Sequence, residues 1–428
     1  MKIDCVKPVV LVISAILVLI CTLSPLQAQE APSLQSGDFV AICGDSITEQ
    51  KLYSMYIENY LLMCQPATNL RTVQAGWGGE QAVNFVGRME HDVLTLGPTV
   101  ATTCYGMNDG GYSPMTPEKA QRYRDSQRAI VKKFKDKGVR LVVVGSPGCV
   151  DSDTFRNNPA EAAMYNKTLS ELRDIAREVA GEENVAFANV YDPMIDVMAK
   201  AKAKYGKSYH LGGGDGVHPS FNGHLVMAYA FLKAMGCNGN IGTITVDLKS
   251  NEAKATEGHK ILSVSGGAVE IESTRYPFCF FGDSTKPEST RGILEFLPFN
   301  EELNRFRLVA ANLKEDGKYK LTWGGVVRHY SGAELAKGIN LAAEFLDNPF
   351  SESFSRCQEA IAKQQNFETA LTKVLLHEIP NYRRYLPEEK ETLDQIVDKL
   401  AQKDKEMAAA SASSVKPVTH TLKIELIE

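Results

Sequence analysis

The chain has 428 residues, which is too long for one ordinary core. Of these residues 44% are hydrophobic and 23% charged, as is typical of a globular protein. The formal net charge of −5 gives no indication of nucleic acid or an anionic membrane surface as a partner. None of the nine cysteines forms a CxxC pair, which argues against the zinc-finger and disulfide-framework classes.

Residues 1–28 are predicted to be a signal peptide. Lys2 and Lys7 come before an apolar run at residues 9–21. This run has the length of a signal-peptide core and is short for a membrane span. Residues 26–28, Leu-Gln-Ala, offer a cleavage site. We therefore expect an exported protein, periplasmic or extracellular, with no stable membrane span after cleavage. A retained signal anchor and a lipoprotein acylated at Cys21 are the alternatives, and the large Ile20 argues against lipidation.

Predicted strands and helices alternate from residue 38 to about 236. Five short apolar segments separated by helical periodicity indicate a parallel sheet covered by helices on both faces. Functional groups in such sheets gather at the carboxyl ends of the strands. The strands are predicted at 39–43, 70–75, 99–105, 140–145 and 185–190, and the helices at 51–65, 81–96, 117–137, 159–181 and about 220–235.

Residues 240–428 have a different character and are predicted to form an accessory β domain with a helical insertion. Charged helices at about 350–408 are interpreted as solvated faces, because charge runs usually face water. The small-residue tract 408–414 is predicted to be a linker. β-like runs are found at 243–248, 260–264 and 318–323, and a final strand at 418–427 is expected to return to their sheet.

The stretch AICGDSITEQ, residues 41–50, places Ser46 where the first predicted strand turns into a helix. Serine is a favoured helix cap, but a serine hydroxyl can also be an activated nucleophile, so this stretch alone leaves both roles open. Three later segments favour the nucleophile. GWGGE at 76–80, YGMNDG at 105–110 and GGGDGVHPSFNGH at 212–224 each lie at or just beyond the carboxyl end of a predicted strand, on the same sheet edge as Ser46.

These segments contain the groups that acyl transfer requires. A serine hydroxyl needs a base, and histidine has a suitable proton affinity when a carboxylate orients it; Asp215 and His218 supply both in one turn. The tetrahedral intermediate needs hydrogen-bond donors aimed at its oxygen. Gly79 offers a closely approaching backbone N–H and Asn108 a side-chain amide, and the backbone N–H of Ser46 would be the third donor.

Together these blocks resemble the SGNH hydrolases, also called the GDSL esterase and lipase family. The resemblance covers roughly residues 38–236, within a predicted catalytic domain at 36–238, and leaves the C-terminal half unassigned. The matching residues are Gly44-Asp45-Ser46 in the first block, Gly79 in the second, Gly106-Met107-Asn108-Asp109 in the GxND block, and Asp215, His218 and Pro219 in the DxxH block.

The resemblance implies roles for the matching residues. Ser46 would be the nucleophile, His218 the base and Asp215 its partner, while Ser46, Gly79 and Asn108 would form the oxyanion hole. The implied fold is a flavodoxin-like three-layer α/β/α sandwich with a five-stranded parallel sheet.

The chain departs from the family pattern in the second block. Gln74, Glu80 and Gln81 replace the usual residues, which bears on loop geometry and substrate preference. A second Gly-Asp-Ser triplet at 282–284 lacks the other blocks, and we interpret it as a turn with an inert Ser284.

No metal or other cofactor is predicted. His210, Asp215, His218 and His224 are close in sequence, but a metal site needs three or four converging ligands and His218 has a competing role. We expect His224, inside the last predicted helix, to cap or to pack.

The aromatic residues and cysteines can each be interpreted in more than one way. Trp77 and Tyr105 could border the substrate or belong to the core, whereas Trp323 is predicted to be core. The cysteines are expected to be small buried hydrophobes, and one bond between Cys43 and Cys104 is possible in an oxidising compartment.

The sequence thus predicts an exported serine esterase acting on short-acyl, first of all acetyl, esters of carbohydrate. Its partner would be a small-molecule or polysaccharide ester, and the oligomeric state is not indicated. A lipase or lysophospholipase of the same family is the alternative enzyme. A catalytically silent binding or scaffold protein is the alternative from another class.

Overall fold

A parallel five-stranded sheet organises the first half of the chain. The computed structural model describes Met1 and residues 33–427, so the predicted signal peptide, apart from Met1, lies outside the described residues. The strand order is β2-β1-β3-β4-β5, which reverses between β1 and β3. The strands are β1 (Phe39–Gly44), β2 (Arg71–Gly76), β3 (Val100–Cys104), β4 (Leu141–Gly145) and β5 (Ala186–Ala188).

The register brings the carboxyl ends of the central strands to one level. Gly44 pairs with Gly76 on one side and with Cys104 on the other. Every residue of β1 is buried, which is why the strand is apolar throughout instead of alternating. The loops that follow β1, β2 and β3 therefore meet at the point where the strand order reverses, as predicted for this fold class.

Helices cover this sheet on both faces, and the predicted α/β/α fold is confirmed. The helices α3, α4 and α5 pack successively against one another, and α2 packs against α7. No helix among the described residues is long and apolar enough to cross a membrane. The helices are α1 (Ser46–Glu49), α2 (Leu52–Met63), α3 (Ala82–Asp92), α4 (Pro117–Asp136), α5 (Pro159–Glu182), α6 (Tyr191–Tyr205) and α7 (Phe221–Ala234).

Two further sheets form the second half of the chain. A four-stranded sheet has the order β13-β10-β6-β7, and a five-stranded sheet has the order β12-β11-β14-β9-β8. The last strand lies between β11 and β9, so it returns to a sheet with the predicted runs 260–264 and 318–323, whereas the run 243–248 belongs to the four-stranded sheet. The strands are β6 (Asn240–Asp247), β7 (Glu252–Ala255), β8 (His259–Ser265), β9 (Ala268–Ser273), β10 (Arg305–Ala311), β11 (Lys318–Trp323), β12 (Val326–Ser331), β13 (Ile339–Asn340) and β14 (Val418–Leu426).

The tract 408–414 is helical, so its prediction as a linker is wrong. It forms the end of α13, because alanine has a high helix propensity and Ala408 and Ser411 are buried. Before this helix, a π-helical turn at Leu371–Leu375 directly follows α11. The helices of this half are α8 (Phe299–Glu302), α9 (Gly332–Lys337), α10 (Leu341–Glu344), α11 (Ser351–Ala370), α12 (Ile379–Tyr385) and α13 (Lys390–Ser414).

The helix α11 packs on α2 and β2 of the first half, which corrects its interpretation as a solvated face. The backbone N–H of Gln74 donates to the Glu368 carboxylate at 2.7 Å. Two glutamine amides of α11 donate to the Glu58 carboxylate at 2.8 Å each. Charged residues occur on this buried face because their polar groups are hydrogen-bonded across it.

This buried contact predicts a pH-dependent stability. Burial raises the pKa of Glu58 to about 7, and it raises to about 6 the pKa of Asp404, a residue of α13 that pairs with Arg71 of β2 at 3.0 Å. The folded state therefore binds more protons than the unfolded chain between the ordinary carboxyl range near pH 4 and neutral pH. The free energy of unfolding should fall as pH rises through this window, by at most about 1.4 kcal/mol per pH unit for each such proton.

Urea unfolding at pH 5.5, 6.5 and 7.5 measures this slope. Glu58→Gln keeps one acceptor oxygen but removes the titrating group, so its slope should be shallower than that of the wild type. Equal slopes in the two proteins would contradict the assignment.

All seven cysteines among the described residues are free and buried, which confirms their expected role as small hydrophobes. Cys43 and Cys104 lie on the neighbouring strands β1 and β3 without forming a bond. Burial raises the pKa of the Cys43 thiol to about 12, so this group stays protonated at neutral pH.

Candidate active site

Ser46 stands on a tight turn between β1 and α1, and it is not the capping residue of that helix. Asp45 is the N-cap, and its carboxylate accepts a hydrogen bond from the backbone N–H of Ile47 at 2.9 Å. Burial raises the pKa of Asp45 to about 7. A side chain at Gly44 would come within 2.1 Å of the Thr48 hydroxyl, so the turn requires glycine there. The Ser46 hydroxyl is left free for another partner.

That partner is His218. The Ser46 Oγ lies 2.9 Å from His218 Nε2, and Asp215 Oδ2 lies 2.7 Å from His218 Nδ1. A carboxylate can only accept, so Nδ1 carries the proton and Nε2 is free to accept from the serine. The structure therefore brings Ser46, His218 and Asp215 into one hydrogen-bonded line across 172 residues of sequence.

The aspartate of this line is held in its ionised form. Partial burial raises the pKa of Asp215, but hydrogen bonds from the His218 ring and from the backbone N–H groups of His218 and Val217 outweigh it and lower the pKa overall. Both N–H groups donate to Asp215 Oδ1 at 2.9 Å. The carboxylate is thus fixed in position although its side chain is 55% exposed.

The three predicted oxyanion donors differ in their hydrogen bonds. Gly79 has a φ of +73°, the left-handed region that favours glycine, and its N–H has no hydrogen-bond partner among the described residues. The N–H of Ser46 at the start of α1 is likewise unpartnered there. Asn108 Nδ2 donates to the Glu80 carbonyl oxygen at 3.1 Å and has a longer contact of 3.4 Å with Asp45 Oδ2.

The residues that depart from the family pattern support these loops. The Glu80 carboxylate accepts from Arg88 Nε at 2.6 Å and from the Tyr105 hydroxyl at 2.7 Å. Gln81 Nε2 donates to the Asn108 carbonyl oxygen at 2.9 Å and so joins the second block to the GxND block. Gln74 Nε2 donates to the Thr48 carbonyl oxygen at 2.8 Å. Gln74, Glu80 and Gln81 therefore stabilise these loops through hydrogen bonds of their own.

The four groups considered as a metal cluster do not converge. His224 is buried in α7 and its Nε2 lies 2.8 Å from Gln50 Oε1, so it packs as expected. His210 Nδ1 lies 3.1 Å from the Ser220 hydroxyl, and its Nε2 faces Glu288 at 3.4 Å. Each of these histidines therefore has its own partner, separate from the pair of Asp215 and His218.

A cavity of about 490 Å³ opens beside Gly79. Trp77 is half-buried and borders it, whereas Tyr105 is fully buried in the core. His377 also lines the cavity, and its ring centroid lies 4.8 Å from that of Trp77. Lys373 also reaches Trp77 and forms an ion pair with Glu49. Neither His377 nor Lys373 was predicted from the sequence, because no local pattern connects them to the active-site blocks.

The second Gly-Asp-Ser triplet forms an exposed turn, as predicted. Asp283 Oδ1 accepts from the Thr285 N–H at 2.8 Å, and Ser284 is exposed. Trp323, in contrast, is fully buried in the core of the second half.

Comparisons with known proteins show similarity to one family and to several relatives. Residues 42–226 match the GDSL-like lipase/acylhydrolase family. An acetylxylan esterase of Geobacillus stearothermophilus is 24% identical over 222 residues, which are 47% of this chain and 95% of that protein. A solved structure of that organism's acetylxylan esterase has a TM-score of 0.40 at 23% identity and covers 48% of this chain and 96% of its own.

A second solved structure extends over nearly the whole chain. It is that of a gut microbial diltiazem-metabolizing enzyme, with a TM-score of 0.71 at 24% identity, covering 92% of this chain and 99% of its own. The fold of the C-terminal half is therefore shared along with that of the first half. Residues 42–226 thus form a GDSL-like lipase/acylhydrolase domain, as the resemblance to the SGNH hydrolases predicted, and the protein is a carboxylic ester hydrolase.

Proposed function

We propose that this protein is an exported serine esterase that removes short acyl groups, first of all acetyl, from carbohydrate esters. The observation that carries the mechanism is the line of hydrogen bonds from Asp215 through His218 to Ser46, at 2.7 and 2.9 Å. Nucleophile, base and orienting carboxylate have the connectivity that serine acyl transfer requires.

The reaction would proceed in two halves. Ser46 Oγ attacks the ester carbonyl carbon while its proton passes to His218 Nε2. The tetrahedral intermediate then collapses, the bond to the alcohol oxygen breaks, and the imidazolium returns the proton to the leaving alcohol. Water repeats the sequence on the acyl-enzyme, releases the carboxylic acid and restores the serine.

The unpartnered N–H groups of Gly79 and Ser46 would receive the negative oxygen of each intermediate, with Asn108 as the third donor. Asn108→Ala is expected to lower kcat by roughly 10²–10³-fold with a small change in KM, because the oxygen is fully charged only near the transition state. Steady-state kinetics on a nitrophenyl ester measure both constants. An effect confined to KM would assign Asn108 to ground-state binding instead.

The residues that line the cavity beside Gly79 favour a sugar ester as the substrate over a long-chain lipid. Its boundary combines the half-buried indole of Trp77 with polar side chains of Asn84 and Arg88. An amphipathic ring next to hydrogen-bonding groups suits a sugar better than an alkyl chain. The acetylxylan esterase among the relatives acts, by its name, on acetylated xylan, which favours acetyl as the acyl group.

A substrate panel tests this proposal. Nitrophenyl acetate, butyrate and decanoate measure the acyl preference, while acetylated xylooligosaccharides and a lysophospholipid compare the alcohol halves. We expect the highest kcat/KM for acetyl esters and acetate release from the oligosaccharides, with Ser46→Ala as the control for background hydrolysis. Preference for decanoate and lysophospholipid would favour the lipase alternative, and no turnover of any ester would favour the silent scaffold.

The proposal that the protein is exported depends on the predicted signal peptide at residues 1–28. Immunoblotting of cytoplasmic, membrane and exported fractions tests it directly. Cleaved protein in the exported fraction is the expected result, and uncleaved protein in the membrane fraction would support the retained anchor.

A further inference from the structure

A cluster of two histidines and one aspartate lies at the cavity beside Gly79, apart from Ser46 and its partners. His91 and Asp92 end α3, and His377 lies between α11 and α12. His377 Nδ1 is 3.0 Å from Asp92 Oδ2, and His91 Nε2 is 3.4 Å from Asp92 Oδ1. One ligand atom from each residue lies within 4.8 Å of the other two. We propose that His91, Asp92 and His377 bind a divalent transition-metal ion, with Zn²⁺ as the preferred ion.

The donor set favours this class of ion. Two imidazole nitrogens and one carboxylate oxygen are a ligand combination that zinc uses when its fourth position is open. Magnesium and calcium prefer oxygen ligands only. The side chains of His91 and His377 are 27% and 34% exposed, so an ion can reach them from the cavity. Asp92, in contrast, is fully buried behind them.

The aspartate gives a second, independent indication. Asp92 Oδ1 is buried and has no hydrogen-bond partner in the described part of the chain, although a buried carboxylate oxygen normally has one. This is the oxygen that faces His91 at 3.4 Å. A cation between the two groups would satisfy it.

The charges around Asp92 are also compatible with a bound cation. Arg88 Nη1 lies 3.5 Å from Asp92 Oδ2, but the same guanidinium donates to both carboxylate oxygens of Glu80, at 2.6 and 2.8 Å. Glu80 thus neutralises Arg88 and leaves the charge of Asp92 uncompensated when both imidazoles are neutral. A divalent ion would therefore meet a net negative site.

Such an ion would join two distant parts of the chain. His377 and Asp92 are 285 residues apart, and the His377 ring packs against Trp77 at 4.8 Å between centroids. Binding would fix the C-terminal wall of the cavity onto α3. The site shares no residue with Ser46, His218 or Asp215, so metal binding can be measured apart from the proposed esterase activity.

Calorimetric titration of the full-length, EDTA-treated and desalted protein with ZnCl₂ tests the site. We expect one high-affinity site per chain, a higher Tm with Zn²⁺, and a visible absorption band when Co²⁺ is used as the probe. His91→Ala and His377→Ala should each weaken the affinity at least tenfold and abolish the Co²⁺ band. No saturable binding by the wild type would overturn the proposal.

Two matched histidine variants serve as controls. His329 is exposed on β12, and His218→Ala removes the other accessible His–Asp pair; both His329→Ala and His218→Ala should retain the high-affinity site. Loss of binding in His218→Ala, with binding retained in His377→Ala, would place the ion elsewhere and refute the assignment. Circular dichroism and metal-free Tm values check folding, and His91→Gln and His377→Gln replace any alanine variant that fails to fold.

Discussion

Alanine in place of Ser46 is expected to lower kcat by about 10⁶-fold while leaving the fold intact. The substitution removes the only atom that can form the acyl-enzyme in the proposed mechanism. The Ser46 hydroxyl contacts His218 and does not cap α1, a role that belongs to Asp45. The helix start should therefore survive, and thermal unfolding of the variant should match that of the wild type.

A fluorophosphonate probe gives an independent readout of the same residue. We expect mass spectrometry to locate the label on Ser46 of the wild type and to find none on the alanine variant. Ser284 is the matched control, because it belongs to the same Gly-Asp-Ser triplet but lies on an exposed turn. Ser284→Ala should retain full turnover and labelling. Activity in Ser46→Ala, or a label at Ser284, would refute the assignment.

Asparagine in place of Asp215 is expected to lower kcat/KM by as much as about 10⁴-fold. Its remaining carbonyl oxygen can still accept from the N–H groups of Val217 and His218, so the loop should keep its shape. Its amide would then face His218 Nδ1 as a donor. The imidazole would carry its proton on Nε2, where it could no longer accept the proton of Ser46.

The pH profile separates this explanation from loss of structure. In the wild type, kcat/KM should rise with pH, because only a neutral imidazole can accept the proton of Ser46, while Asp215, whose pKa is lowered, stays ionised. Asp215→Asn should remain slow at every pH. Asp283→Asn, on the exposed turn of the second triplet, is the matched control and should follow the wild-type profile. Wild-type rates in Asp215→Asn would show that another group orients His218.

The sequence alone determined the sheet, the helices around it and the residues that the structure brings to one edge. Short apolar strands and helical periodicity are local signals, and β1 and β4 were predicted to within a residue at each end. Ser46, Gly79, Asn108 and His218 could be placed together because parallel strands present their carboxyl ends on one side. Local pattern and topology are therefore sufficient to place these strands and these site residues.

Local signals were insufficient for two helices. The helix α6 was not predicted; it follows a strand of only three residues. The tract at the end of α13 was interpreted as a linker because its residues are small. Its helical state depends on packing against α11, where Cys357 Sγ lies 4.0 Å from the Ser411 carbonyl oxygen.

Only the tertiary structure decided how the C-terminal half meets the active-site half. Glu368 accepts from the backbone of Gln74, and His377 reaches Asp92 and Trp77, over separations of nearly 300 residues. A helix whose charged residues face water can have the same composition as a helix whose charged residues are buried and hydrogen-bonded against another part of the protein. The difference arises from which donors and acceptors the folded chain places opposite them, and burial of those charges is stable only when these partners are present.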